Sequence, residues 1–244
     1  MLLKIENVTK KFGGLFANTG VSIEIEEGQI VGFIGPNGAG KSTLFKSILG
    51  FNRIDEGEIF FCKKRISKLE TYKISRLGIA CTFQNAQIFP RLTLEESVLT
   101  GAYCHQHNKK QALSLAREMI GFVGLSGKEN TLVTKLNILE RKKAQLAVSL
   151  AIKPKLILLD ELFAGLVQNE VNQMLQDINI VHKTLGITLF IIEHVLRVIM
   201  NLCPKIYVIN YGQIISIGSP SQVTSDPKVI EAYLGVDYDL NKDK

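Results

Sequence analysis

Residues 35–43 read GPNGAGKST, and no other stretch limits the possible folds of this 244-residue chain as strongly. The run fits G-x-x-x-x-G-K-[ST]. It follows the apolar segment IVGFIG (30–35) and precedes a segment that reads as a helix from about Lys41 to Leu49. A short apolar run without alternation is what a strand buried on both faces requires. Strand, glycine-rich loop and helix in that order predict an α/β sheet with a phosphate-binding loop. Gly35, Gly38 and Gly40 let backbone N–H groups converge on phosphate oxygens that a side chain would block. Asn37, Ala39 and Thr43 complete the candidate cradle, and the helix start adds partial positive charge. Lys41 is the candidate for reaching the β- and γ-phosphates, and Ser42 the candidate ligand for Mg²⁺.

Such a loop needs a carboxylate partner, and LILLDE (156–161) supplies one. Four apolar residues predict another buried strand, with Asp160 emerging at its C-terminal end, where ligands collect in open parallel sheets. Asp160 is then the expected holder of Mg²⁺ through water, and Glu161 the expected base that orients an attacking water.

Alternation in LLKIENV and VSIEIEE predicts two early antiparallel strands; GEIFFC and GIACTF (78–83) add two more. From about 92 to 153 the periodicity turns helical, in TLEESVLTGAY, KKQALSLAREMIGFVGL and RKKAQLAVSLAI, with Thr93 and Glu96 spaced as a capping box. Strands and helices then alternate: KLILLD, a helix near 169–184, ITLFII, a short helix near 194–201, KIYVIN, GQIISIG and a closing helix at 226–235. The expected layout is an α/β core (1–84 and 154–235), a helical subdomain (85–153) and a polar tail (236–244).

At this point the residues resemble the ATP-binding-cassette (ABC) ATPases, the subunits that power ABC transporters, and the match covers nearly the whole chain. VTKKFGG (8–14) is similar to the adenine-stacking segment, with Phe12 as the aromatic. TFQNAQIFP (82–90) resembles the Q-loop, which makes Gln84 the residue that approaches Mg²⁺ and the attacking water. IIEHVL (191–196) resembles the switch segment, which makes His194 the γ-phosphate sensor. KFGGLFANTGVSIEI, TFQNAQIFP and GSPSQVTSDPKVIEAYLG bring the chain nearest to the branched-chain amino acid transport ATPases. Lipopolysaccharide export, urea or amide import and a low-turnover regulatory role stay open as alternatives.

The resemblance implies a signature of L-S-G-G-Q type, given in trans to a second ATPase subunit. Aligned back from Asp160, that slot falls on LNILE (136–140), so Asn137 stands for serine, Leu139 for glycine and Glu140 for glutamine. LSGKE (125–129) looks more like a signature but lies about ten residues too far upstream and lacks the long helix immediately after it. Asn137 can still donate a hydrogen bond and cap a helix. Leu139 puts a side chain where a bare backbone is wanted, and Glu140 brings negative charge toward a phosphate. Leu162 replaces the proline after the acidic pair, and Val167 takes a place where a polar residue is usual. With the phosphate loop, Gln84, Glu161 and His194 intact, the expectation is a heterodimer with one working and one weak site.

The same resemblance implies ATP and Mg²⁺ as ligands. It implies membrane permeases and, indirectly, a substrate-binding protein as partners, and a peripheral place on the cytoplasmic face of the membrane. The sequence has no signal-peptide pattern, no apolar run of 18 residues and no paired cysteine spacing, which agrees with that location. The net charge of +6 is spread without a block and reads as a solvated surface, with no nucleic-acid partner expected.

Overall fold

The computed structural model describes residues 1–83 and 89–234. In chain order the first half holds β1 (Leu3–Phe12), β2 (Leu15–Ile25), β3 (Ile30–Ile34), α1 (Lys41–Ile48), β4 (Glu56–Phe61), β5 (Lys64–Arg65), α2 (Thr71–Arg76) and β6 (Ile79–Thr82). Then come α3 (Leu94–Ala102), α4 (Lys109–Phe122), a 3-10 turn (Val133–Lys135), α5 (Ile138–Ala151), β7 (Leu156–Asp160) and α6 (Gln168–Leu185). The last elements are β8 (Thr188–Ile192), α7 (Leu196–Leu202), β9 (Lys205–Asn210), β10 (Gln213–Gly218), α8 (Pro220–Ser225) and α9 (Pro227–Leu234). They form two compact units. Of the described residues, one holds 1–26, 30–69 and 199–234; the other holds 27–29 and those between 70 and 198.

In the first unit, β1 pairs antiparallel with β2 (Leu3 opposite Ile25) and, on its other edge, with β4 (Leu3 opposite Phe61). The order β2-β1-β4-β5 follows. Period-two burial explains the register: Val21, Ile23 and Ile25 are buried while Ser22 and Glu24 face out. β3 is buried throughout and pairs parallel with β9, which turns back antiparallel into β10. The uninterrupted apolar run at 30–34 is thus a core strand, as its composition predicts.

In the second unit β6, β7 and β8 run parallel, with Ile79 opposite Leu156 and Leu156 opposite Thr188. Helices α3, α4 and α5 pack on one another. The crossing of α3 with α5 is close, since a Cβ at Gly101 would lie 2.4 Å from the Val148 carbonyl. The Thr93 capping box forms: Thr93 Oγ1 accepts from the Glu96 N–H (3.2 Å) and Glu96 Oε2 accepts from the Thr93 N–H (2.8 Å). The helix predicted to begin at Arg141 starts three residues earlier, at Ile138. The LNILE slot therefore includes the cap and first turn of α5.

Candidate functional site

The phosphate loop sits in the first unit. It leaves the buried β3 and enters α1 through Gly40, at φ +105°, a backbone conformation that L side chains avoid. Space enforces glycine as well: a Cβ at Gly40 would lie 2.1 Å from the Ala17 carbonyl oxygen, and one at Gly35 2.1 Å from that of Ile209. Asn37, Gly38 and Ser42 are exposed at the loop surface, Thr43 is half-buried and Ala39 is buried. Lys41 is buried and its ammonium folds back on the loop, donating to the carbonyls of Gly35 (2.6 Å) and Pro36 (2.9 Å). That curl holds a cation within the concave side of the loop. No acidic side chain lies in the first turn of α1, so nothing there competes with an anion for the helix N–H groups. Phe12 ends β1 with 48% of its surface exposed, and the Lys10 ammonium lies 5.1 Å from its ring centroid. It has the open face that stacking requires.

Asp160, Glu161 and His194 lie in the second unit. Asp160 closes β7, as its position in the apolar run predicts. Glu161 is one of the few non-glycine residues at positive φ (+50°), a conformation costing roughly 1–2 kcal/mol. Its N–H donates to the Ile192 carbonyl (2.9 Å), and one carboxylate oxygen meets His194 Nε2 at 2.5 Å. The two residues expected to act on the γ-phosphate and its water are therefore in direct contact. Gln84 lies outside the described residues.

Two residues at this cluster carry no role in the sequence reading. Lys142, buried on α5, donates to the Glu161 carbonyl oxygen (3.3 Å). Glu193 is 4% exposed, and its Oε1 accepts the Phe163 N–H at 2.8 Å. Burial lowers the Lys142 pKa, and burial pushes the Glu193 carboxyl up to about 7 against the opposing Phe163 hydrogen bond. The available signal was charge on a core-facing position. Lys142 falls on the apolar face of RKKAQLAVSLAI, and Glu193 directly follows a strand without a single polar residue after Thr188.

In the LNILE stretch, Asn137 caps α5. Its Oδ1 accepts the Glu140 N–H (2.9 Å), and Glu140 Oε2 accepts the Asn137 N–H (3.0 Å). Leu139 is turned into the packing and Ile138 is exposed. Glu140 also pairs with Lys128, whose ammonium is the largest cause holding that carboxyl below its ordinary range. The two stretches that compete as signatures in sequence, LSGKE and LNILE, thus touch through one ion pair. The charge of Glu140 is committed within the chain.

Residues 18–164 match the model of the ABC transporter family, and residues 213–239 match that of the branched-chain amino acid ATP-binding cassette transporters. The chain is 31% identical over 249 residues to the high-affinity branched-chain amino acid transport ATP-binding protein BraF of Pseudomonas aeruginosa, covering 96% of this chain and 98% of that one. It is 33% identical over 243 residues to the lipopolysaccharide export system ATP-binding protein LptB of Haemophilus influenzae, covering 98% and 99%. Among solved structures, an ABC transporter ATP-binding cassette in its ADP conformation superposes with a TM-score of 0.87 at 33% identity, covering 96% and 98%. The chain belongs to the ABC transporter family, and within it is an ATP-hydrolysing cassette. Its fold is the ABC ATPase fold, a P-loop α/β core with an antiparallel β subdomain and an inserted helical subdomain.

Proposed function

We propose that this cassette is the ATP-hydrolysing subunit of an importer of branched-chain amino acids, acting peripherally at the cytoplasmic face of the membrane. The observation that carries the substrate class is the match of residues 213–239 to the branched-chain model, beside the resemblance to BraF. No helix among the described residues is long and apolar enough to cross a membrane, which agrees with a subunit working through separate permeases.

The roles follow from donor chemistry. Gly35 to Thr43 wrap the phosphates, Lys41 neutralises the β- and γ-oxygens, and Phe12 stacks on the base. Ser42 and Asp160 offer the hard oxygen donors that Mg²⁺ takes, with Gln84 as a third ligand. When bound, Mg²⁺ neutralises charge developing on the phosphates. Glu161 orients the water and takes its proton, and His194 holds the Glu161 carboxylate while reaching for the γ-phosphate. The remaining donors come from the signature of a second ATPase subunit. Because the LNILE slot spends Glu140 on Lys128 and on its own cap, its service to the partner's phosphate loop is weak. A heterodimer with unequal sites fits this better than a homodimer.

A docking place for the permease lies in the helical subdomain (85–153). A cavity of 180 Å³ there is lined by Thr82, Phe83, Phe89, Ser97, Gln145 and neighbours. Thr82 Oγ1, Ser97 Oγ and Gln145 Oε1 are buried beside it without hydrogen-bond partners among the described residues. The LptB resemblance supports export as a second reading.

The test is ATP turnover by the assembled transporter with Glu161→Gln in this subunit alone, run with uptake of labelled leucine. Turnover and uptake both falling at least 100-fold is the expected result. Turnover near wild type would assign hydrolysis to the partner's loop, and turnover without leucine uptake would favour the export reading.

A further inference from the structure

We infer that Lys142 and Glu193 form a clamp that positions Glu161, making them positioning residues for hydrolysis; this rests on the reading of Glu161 as the base. Hydrogen bonds from other elements hold the backbone of residues 161–163, beside the local turn in which the Ala164 N–H donates to Glu161 O (3.3 Å) and the Leu166 N–H to Phe163 O (3.2 Å). The Glu161 N–H donates to Ile192 O, Lys142 Nζ donates to Glu161 O, and the Phe163 N–H donates to Glu193 Oε1. The middle of that segment is anchored by packing, since Leu162 is fully buried and Phe163 is 1% exposed. The segment needs the hold because Glu161 sits at φ +50° with an ordinary side chain. Leu162 carries no ring that would fix the backbone covalently.

The clamp's two members come from different elements. Lys142 projects from the second turn of α5, which begins at the LNILE slot, and Glu193 follows β8 and directly precedes His194. Glu161 is thereby tied from one side to the helix that presents the slot and from the other to the strand that presents its histidine partner. A slip of the backbone at 161 would move the carboxylate away from the attacking water, and a 1 Å misplacement of this kind costs about 100-fold in rate. Neither clamp residue belongs to the phosphate loop, so nucleotide affinity should survive their loss.

The experiment places Glu193→Leu, Glu193→Gln and Lys142→Met singly in this subunit of the assembled transporter, beside Glu161→Gln and the double variant Glu161→Gln/Glu193→Leu. The expected result is a drop in kcat of about 10- to 100-fold for Glu193→Leu and Lys142→Met, with KM for ATP within about twofold. Glu193→Gln keeps an oxygen for the Phe163 N–H and should stay within about threefold of wild type. The double variant should be no slower than Glu161→Gln alone, the signature of action through one residue. A readout independent of turnover is amide exchange at Phe163, which should quicken at least tenfold in Glu193→Leu and hold in Glu193→Gln. If Glu161→Gln is silent yet Glu193→Leu and Lys142→Met turn over within threefold of wild type, the clamp is refuted and the base assignment stands. Near-normal turnover in Glu161→Gln overturns the base assignment and the clamp together. Should Glu193→Leu fail to fold, Lys142→Met decides on the same two criteria.

Discussion

Helix α6 starts at Val167 in cap geometry with no cap. The backbone there (φ −79°, ψ 164°) matches the working caps at Thr93 (−70°, 168°), Asn137 (−69°, 177°) and Ser219 (−70°, 164°). Half of a capping box is also in place, since Glu170 Oε2 accepts the Val167 N–H at 3.0 Å. What is missing is a side-chain acceptor for the free N–H groups of the first turn. Val167 is 65% exposed, so replacing it forfeits little burial. Val167→Asn therefore adds one cap with no backbone rearrangement, and caps of this kind are worth about 1 kcal/mol. For a chain of this size that raises the melting temperature by about 2–4 °C. The assay is thermal and urea unfolding of the full chain, with Val167→Ala as the control for simple loss of the valine. A rise for Asn with Ala within about 0.5 kcal/mol of wild type is expected. Equal behaviour of Asn and Ala, or a fall for Asn, would refute the claim that the helix start is preformed and only lacks an acceptor.

Glu193 gives a pH prediction. Its folded pKa of about 7 lies above the ordinary carboxyl value of 4.5, so folding opposes its ionisation. The stability it permits is complete below about pH 4.5 and is lost as pH rises through about 7, by on the order of 3 kcal/mol in total. Urea titrations between pH 5 and 8 should show Glu193→Gln gaining on wild type as pH rises; parallel curves would refute the raised pKa. Gly40→Ala drives a Cβ toward the Ala17 carbonyl oxygen and into a left-handed backbone. Affinity for a fluorescent ATP analogue should fall at least tenfold, and unchanged binding would mean that the loop tolerates the shift.

Much of the fold was legible because two periodicities dominate it. The strands at 30–34, 156–160 and 188–192 carry continuous apolar runs (30–34, 156–159 and 189–192), and β2 alternates from Val21 to Ile25. The phosphate loop was readable because glycine spacing, flanking strand and following helix all coincide. Helices α2 and α8 escaped because six residues are too few to establish a helical period. His194 was readable only through the family pattern, and nothing in the sequence announced that its ring meets the Glu161 carboxylate. Lys142 and Glu193 escaped because burial of a charge is decided by tertiary packing that periodicity does not encode. In LNILE the sequence reading placed a charge facing a phosphate; the fold instead closes that charge on Lys128, twelve residues earlier in the chain.

The contact between Gly40 and β2 has a consequence for anyone who wishes to retune this cassette. Asn18 Nδ2 donates to the Gly40 carbonyl at 3.1 Å, and the Thr19 N–H donates to Gly212 in the β9–β10 turn. The Gly212 N–H in turn donates to the Ala39 carbonyl. The strand that leaves the Phe12 hairpin is thus riveted to the phosphate loop and to a third turn within one unit. An engineer who grafts a new hairpin to accept a different base inherits this geometry as a hard boundary. Substitutions at 14–16 leave these bonds alone, while those at 17–19 register at the phosphates.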